Sequence, residues 1–249
     1  MTVTLTDGGT GTELAARGYA GSSLDAWRDA ADVLEAIHRD FVHAGAEIVV
    51  ASTFLASSSQ GSLEAVRGSI AIARASVTRQ TRIAASLGPG TIDRALVEAC
   101  AGADLLFLET MTSVEGADRL FGIAREAFAG PIFVSFAVDG MATYGGDSLF
   151  AIADWVRDAR PDAAGFNCGT GTASVLDALS KVGDRFAGSL IARPAASAPG
   201  LPVESPHAFA AFAREAIRLG ASVVGGCCGA GTAHIAAIAT EVAKVRGIG

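Results

Sequence analysis

Three of the four cysteines in this 249-residue chain lie where short apolar runs break at glycines. Cys227 and Cys228 directly follow two glycines, and Cys168 closes another apolar run 60 residues before Cys228. Glycine lets the backbone turn sharply where a strand ends, so the three thiols can meet in one space. Thiolates are preferred zinc ligands, and three protein ligands leave a fourth zinc position open, as in catalytic sites. The residue types and their positions therefore predict a catalytic zinc centre.

The remaining cysteine and two histidines are weaker candidates for a metal site. Cys100 lies among alanines in a helical pattern, where cysteine is commonly a small buried hydrophobic residue. A purely structural zinc would need a fourth ligand, which His207 or His234 could offer, although both stand at predicted helix starts. A disulfide between the adjacent residues Cys227 and Cys228 would be strained, which favours free thiols or a metal.

Composition excludes several classes of protein. Half of the residues are apolar and only 18% are charged, which favours a folded chain with a large core. The net charge of −7 and the isoelectric point near 5.1 disfavour nucleic acid and anionic membranes as partners. No secretory signal or transmembrane span is recognisable, and four cysteines are too few for a disulfide scaffold. The cytoplasm is therefore the expected location.

Short β-rich runs alternate along the chain with amphipathic, alanine-rich helical patterns. This alternation predicts right-handed βαβ units and a parallel sheet. Strands are predicted at residues 3–6, 47–53, 82–87, 104–109, 131–138, 163–167, 189–193 and 222–226. Helices are predicted at residues 30–44, 62–81, 116–127, 149–159, 173–182, 206–219 and 233–245.

Eight such units in 249 residues match the size of a (βα)8 TIM barrel, a fold of the α/β class. An open, doubly wound sheet is the alternative, because alternation alone does not establish closure. No linker or change of composition divides the chain, so residues 1–249 are expected to form one domain. The unit between the third and fourth strands is unusually short, with room for one loop and a three-turn helix.

In a barrel of this kind the carboxyl ends of the strands form the active face. Strands six and eight would flank strand seven, about 9–10 Å apart, a gap that two cysteines and a zinc ion can bridge. Cys227 and Cys228 can share a metal only if the last strand has already broken, because successive strand residues point to opposite faces. The side chains expected at this face are Asp7, Thr53, Glu109, Cys168, Arg193, Cys227 and Cys228.

The chain resembles the homocysteine S-methyltransferase family, zinc-dependent barrels that methylate homocysteine to methionine. The Gly-Gly-Cys-Cys-Gly segment at residues 225–229, together with the distant Asn-Cys at 167–168, is highly specific for this family. The supporting segments follow in the family's order across nearly the whole chain: residues 7–14, 44–48, 53–57, 108–110, 165–168 and 234–235.

The resemblance implies roles for individual residues. Cys168, Cys227 and Cys228 would bind Zn²⁺, and Asp7 and Glu109 would hold the amino group of homocysteine. The methyl donor would be a small sulfonium, S-methylmethionine or S-adenosylmethionine. Two alternatives are a barrel that takes methyl from a corrinoid protein or folate carrier, and a non-catalytic zinc-binding interaction protein. The sequence carries no signal for an oligomeric state.

Some segments depart from the family pattern, and they bear on the methyl donor. The long segment that relatives carry after the third strand is reduced here to residues 88–91. After the seventh strand, residues 193–197 read Arg-Pro-Ala-Ala-Ser in place of a Pro-Asn-Ala-Gly-type turn, and Leu55 replaces a more polar or aromatic residue. Phe136 and Tyr144, near the end of the fifth strand, are the aromatic residues expected to contact a sulfonium. Trp27 and Trp155 are expected to be packing residues.

Overall fold

A computed structural model describes residues 2–58, 63–186, 188–198 and 202–247. It contains an eight-stranded parallel sheet in which the second to eighth strands are neighbours in chain order and the first strand pairs with the eighth. The strands are β1 (Thr4–Leu5), β2 (Ile48–Ala51), β3 (Arg82–Leu87), β4 (Leu105–Met111), β5 (Ile132–Phe136), β6 (Ala163–Cys168), β7 (Ser189–Pro194) and β8 (Ala221–Val224).

The first and last strands in this order meet and close the sheet. Thr6 and Ile48 form a parallel bridge, and the Asp7 amide donates to the Ile48 carbonyl at 3.1 Å. On the other side, the Glu47 amide donates to the Leu5 carbonyl at 2.8 Å. These contacts confirm the predicted (βα)8 TIM barrel, and the open, doubly wound alternative is wrong.

Helices cover the outside of the barrel, and several begin at a serine cap. The helices are α1 (Thr10–Ala16), α2 (Ala26–Asp29), α3 (Ala31–His43), α4 (Leu63–Ser76), α5 (Arg94–Ala99), α6 (Val114–Ala127), α7 (Leu149–Ala159), α8 (Thr172–Val182), α9 (Pro206–Arg218) and α10 (Thr232–Arg246). Ser113, Ser148 and Ser205 each accept the amide of the residue three positions later. Such caps satisfy backbone donors that a helix start leaves free, and each stabilises by about 1 kcal/mol.

Several predicted boundaries differ from the structure. The helix predicted at residues 62–81 is observed as α4 and ends at Ser76, and residue 62 lies outside the described residues. The last strand stops at Val224 rather than at residue 226. The fifth strand ends at Phe136, after which Val138–Asp139 pairs with Ala142–Thr143 as a short antiparallel hairpin. The short helices α1 and α2 have no counterpart in the predicted pattern.

Side chains that alternate along the strands divide the core into two layers. The inner layer fills the barrel, and there the Phe107 and Phe133 rings meet edge to face with centroids 6.0 Å apart. The outer layer lies between strands and helices, and there Trp155 packs on Phe121 and Phe136, both at 5.7 Å. The inner-layer residues are Ile48, Val50, Ala84, Leu105, Phe107, Phe133, Ala163, Ile191 and Val223. Among the described helices, none combines the length and apolar character needed to cross a bilayer.

A buried histidine on α3 makes the stability of the barrel pH-dependent. His38 is fully buried, and neither ring nitrogen has a hydrogen-bond partner among the described residues. Burial lowers the His38 pKa from 6.5 to about 4, so the folded state holds the neutral ring. As the pH falls, the unfolded chain protonates His38 at a higher pH than the folded chain does. The free energy of unfolding therefore decreases as the pH falls from 6.5 towards 4.

We expect His38→Leu to remove about 3 kcal/mol of this acid destabilisation, the free energy equivalent of the pKa shift. Urea unfolding at pH 7.5 and at pH 4 measures it, as the difference in free energy of unfolding between variant and wild type at each pH. His43→Leu is the matched control, because His43 is exposed on the same helix. Equal acid sensitivity of His38→Leu and wild type would contradict the prediction.

Candidate metal centre and substrate pocket

A cavity of about 380 Å³ opens at the carboxyl ends of the strands. Residues after β1 and around the end of β2 form one side of the cavity, and residues at the ends of β3, β4, β6, β7 and β8 form the rest. The lining residues are Gly8–Thr12, Ser23, Val50–Ser52, Phe54, Leu55, Ser86, Glu109, Thr110, Cys168, Arg193, Cys227 and Cys228. Pockets in TIM barrels that carry out chemistry lie at this face.

The structure brings the three predicted thiols together at the edge of this cavity. The sulfur atoms of Cys168, Cys227 and Cys228 all lie within 4.8 Å of one another, and those of Cys168 and Cys228 are 3.8 Å apart. Four ligands around zinc at Zn–S distances near 2.3 Å would place sulfur atoms about 3.8 Å apart. The Cys168–Cys228 separation matches this spacing, and the third sulfur lies close enough for the three side chains to share one zinc ion. The exposed Cys228 leaves the group open towards solvent.

Backbone geometry explains how the three thiols converge. Cys168 ends β6 with a left-handed φ of 60°, which turns its side chain out of the strand alternation. After β8 ends, Gly225 and Gly226 carry the chain across the top of the barrel. A Cβ on Gly225 would overlap the Thr6 side chain, and one on Gly226 would overlap Ala230. The predicted break before Cys227 is therefore confirmed, and these glycines permit the close approach that it needs.

A fourth protein ligand is not present among the described residues around this group. The two nitrogens of His234 are engaged with the Gly231 amide at 3.2 Å and the Glu204 carbonyl at 2.8 Å. His207 is exposed at the start of α9, and Cys100 is buried, where its thiol donates to the Leu96 carbonyl. The described residues therefore offer three thiols and no fourth ligand at this place.

The thiols also influence one another's ionisation. Hydrogen bonds from Cys168 and Cys227 lower the pKa of Cys228 to about 3. The hydrogen bonds that Cys168 gives to Cys227 and Cys228, together with burial, raise its own pKa. One thiolate is thus stabilised by its neighbours, while ionisation of all three at this separation requires a cation to offset their repulsion.

Asn167 supports the thiol group from behind, a role that the sequence interpretation did not assign to it. Its Nδ2 donates to the Thr110 hydroxyl at 2.8 Å and to the Cys227 sulfur at 3.6 Å. Its Oδ1 accepts from the Ser135 hydroxyl at 2.7 Å and from the Thr110 amide at 2.9 Å. These bonds hold Thr110 at a φ of 63°. Beyond Glu109, where the prediction had ended it, β4 continues to Met111, which pairs with Phe136 on β5.

The two predicted carboxylates lie on either side of a buried arginine. The Arg193 guanidinium donates to the Glu109 carboxylate at 2.9 Å and to the Asp7 carboxylate at 3.2 Å. It also lies over the Phe107 ring, 5.1 Å from the centroid. Arg193 is 2% exposed and Asp7 is 0% exposed. Arg193 and Glu109 line the cavity, whereas Asp7 does not. This ion triad joins the ends of β1, β4 and β7.

Both carboxylates use their second oxygen inside the protein as well. The Val50 amide donates to Asp7 at 2.7 Å, and the Ser86 hydroxyl donates to Glu109. Burial raises the Asp7 pKa from 3.8 to about 7, although Arg193 and the Val50 amide oppose this shift. Burial likewise raises the Glu109 pKa against the opposing charge of Arg193.

The aromatic residues expected near a sulfonium are placed differently. Phe136 is fully buried with its ring against Trp155 in the outer layer, so its predicted contact with a donor is wrong. Tyr144 is 58% exposed, and partial burial raises its pKa. Tyr144 does not line the cavity, and its contact with a donor stays a prediction.

Comparisons with known proteins agree with this site. A family profile described as homocysteine S-methyltransferase matches residues 4–242. Methionine synthase from Mycobacterium tuberculosis (strain ATCC 25618 / H37Rv) is 29% identical over 297 aligned positions, which cover 96% of this chain and 24% of that protein. Methionine synthase from Mycobacterium leprae (strain TN) is 28% identical over an aligned region that covers 86% of this chain and 21% of that protein. The chain thus spans about a quarter of the length of these curated relatives.

Solved structures show the same fold. The metallated form of the homocysteine methyltransferase MmuM from Escherichia coli superposes with a TM-score of 0.82 at 22% identity, covering 97% of this chain and 96% of that one. Its apo form gives a TM-score of 0.80 at 23% identity, with the same coverage of both chains. The family assignment rests on the match over residues 4–242. The barrel fold and the Asn-Cys and Cys-Cys pairs at the strand ends agree with it. The chain belongs to the homocysteine S-methyltransferase family.

Proposed function

We propose that this chain is a zinc-dependent methyltransferase that transfers a methyl group to the thiol of homocysteine and gives methionine. The observation that carries the proposal is the meeting of three thiols, within 4.8 Å of one another, at the open edge of the barrel pocket. The family assignment supports homocysteine as acceptor and methyl transfer as the reaction.

Cys168, Cys227 and Cys228 are the proposed zinc ligands, and Asn167 fixes Cys227 through its amide. A free thiol has a pKa near 8.5 and is mostly protonated at neutral pH, which makes it a poor nucleophile. Zinc in this site would take the acceptor sulfur as a thiolate, because the cation lowers the pKa of a bound thiol. In the reaction the thiol proton goes to solvent, a sulfur–methyl bond forms, and the bond between the methyl group and the donor breaks.

Glu109 and Asp7 have unequal access to an acceptor. Glu109 borders the cavity and can meet the amino group of homocysteine directly. Asp7 is fully buried and bonded to Arg193, so we propose that it acts on the acceptor through that arginine. Residues 1–249 would work as one barrel domain, and the four unpaired cysteines favour the reducing cytoplasm.

A small sulfonium, S-methylmethionine or S-adenosylmethionine, is the proposed donor, because the transfer then needs no acid to release the leaving group. The second candidate is a corrinoid or folate carrier. It is favoured by the short connection between β3 and α5, residues 88–93. A closed, non-catalytic zinc site is disfavoured by the three-ligand arrangement.

Methionine formation from homocysteine, measured by mass spectrometry, tests the proposal. Zinc-loaded protein would be given S-methylmethionine, S-adenosylmethionine, methylcobalamin or methyltetrahydrofolate in separate reactions. We expect product with one sulfonium donor and none after the metal is removed by a chelator. Cys100→Ser is the matched control and should retain the rate, since Cys100 is buried in a helix outside the pocket. Zinc-loaded protein that neither binds homocysteine nor forms methionine with any donor would contradict the proposal.

A further inference from the structure

The floor of the pocket already contains a cation. Arg193 stands at the end of β7, and its guanidinium lies between the carboxylates of Asp7 and Glu109. These are the two groups that the family resemblance assigns to the amino group of the acceptor. The guanidinium is almost completely buried, so it belongs to the packed floor of the site.

The oxygen atoms of the two carboxylates are largely used by the protein. Asp7 accepts from Arg193 and the Val50 amide, and Glu109 accepts from Arg193 and the Ser86 hydroxyl. Asp7 does not border the cavity. An ammonium group could therefore reach only Glu109, whose charge Arg193 already offsets. Displacing the guanidinium would leave a buried charge without its partners, which is strongly unfavourable.

The Arg193 guanidinium still has N–H groups that can donate a hydrogen bond to a ligand. It has five N–H groups in one plane, a geometry that suits a carboxylate. Two of its nitrogens donate to Asp7 and Glu109, and its Nε has no acceptor among the described residues. Arg193 borders the same cavity as Cys227 and Cys228, so one short molecule can reach both the thiol group and the arginine.

We propose that Arg193 receives the polar end of the acceptor, so that the pocket takes short thiols that carry a carboxylate, whether or not an ammonium group accompanies it. This inference rests on the proposed function, because the same acceptor must present its sulfur to Cys168, Cys227 and Cys228. Homocysteine is an acceptor of this class through its carboxylate, and its amino group adds little.

Calorimetric titration of the zinc-loaded wild-type protein tests the inference without a methyl donor. The probes are homocysteine, 4-mercaptobutanoate, which lacks the amino group, 3-aminopropane-1-thiol, which lacks the carboxylate, and propane-1-thiol, which lacks both. We expect the Kd of 4-mercaptobutanoate to lie within about 3-fold of that of homocysteine. We expect 3-aminopropane-1-thiol to bind at least about 30-fold more weakly, as loss of a charge-assisted hydrogen bond implies.

Arg193→Lys supplies a second readout that retains the positive charge. A single ammonium cannot bond both carboxylates and a ligand in the planar arrangement of a guanidinium. We expect about 10-fold weaker binding of both carboxylate-bearing thiols and unchanged binding of 3-aminopropane-1-thiol, with zinc still at one per chain.

Two results would overturn the inference and leave the proposed function intact. One is tight binding of 3-aminopropane-1-thiol with 4-mercaptobutanoate at least about 30-fold weaker than homocysteine, which would show that the carboxylates recognise an ammonium group. The other is equal binding of all four thiols, propane-1-thiol included. If zinc is held and no thiol binds, the proposed function itself is wrong.

Discussion

Cys228→Ser is expected to lose most of its zinc and to lower methionine formation by about three orders of magnitude or more, because it removes one of only three proposed ligands. A serine hydroxyl remains protonated at neutral pH and is a poor zinc ligand. Cys228 is also the most exposed of the three thiols and the one whose pKa its neighbours lower, so the open side of the site depends on it. Zinc per chain, by atomic emission, and the methionine rate should fall together.

The other cysteines provide the comparison. Cys168→Ser and Cys227→Ser should behave like Cys228→Ser, since all three sulfur atoms lie within 4.8 Å of one another. Cys100→Ser should keep one zinc and the full rate. If Cys228→Ser kept both zinc and activity while Cys100→Ser lost them, the assignment of the ligands would be wrong.

The sequence permitted prediction of the fold and the thiol group because their signals are local. Alternating apolar runs and helical patterns predict a parallel βα order, and eight units match the size of a barrel. The closure itself is seen only in the contacts between β1 and β2. The glycines before Cys227 mark where a strand cannot continue, and the structure shows the break there. The break before Cys227 follows from two adjacent glycines, so it could be placed without knowledge of distant contacts. The end of β4 could not, because Met111 pairs with Phe136 on another strand.

The ion triad could not be predicted in this way. Arg193 contacts Glu109 across 84 residues and Asp7 across 186, and no periodicity records which strand ends pair over such distances. The interpretation placed all three residues at the active face but left the two carboxylates free for a ligand. The prediction for Phe136 was wrong because a shift of one residue along a strand reverses the face that a side chain occupies. The Phe136 side chain packs against Trp155 between the strands and the helices.

Arg193→Met is expected to lower the free energy of unfolding at pH 8 by about 3–5 kcal/mol, because it leaves the buried Asp7 and Glu109 without their cation. Both carboxyl pKa values are raised by burial already, and loss of Arg193 raises them further. A carboxyl whose folded pKa lies above its unfolded value costs stability progressively as the pH rises from the unfolded to the folded pKa, and the full cost is present above the folded pKa. The deficit should therefore shrink as the pH falls from 8 to 5, as urea unfolding of variant and wild type at both values would show.

Neutralising the whole triad separates this electrostatic cost from lost packing. In the variant Asp7→Asn, Glu109→Gln, Arg193→Met no buried charge remains, so we expect much of the stability at pH 8 to return and the pH dependence of the deficit to disappear. The stem of methionine replaces most of the arginine volume beside Phe107, which limits any cavity. If the single and triple variants were equally unstable at both pH values, the cost would lie in packing, and Arg193 would not be holding two ionised carboxylates together.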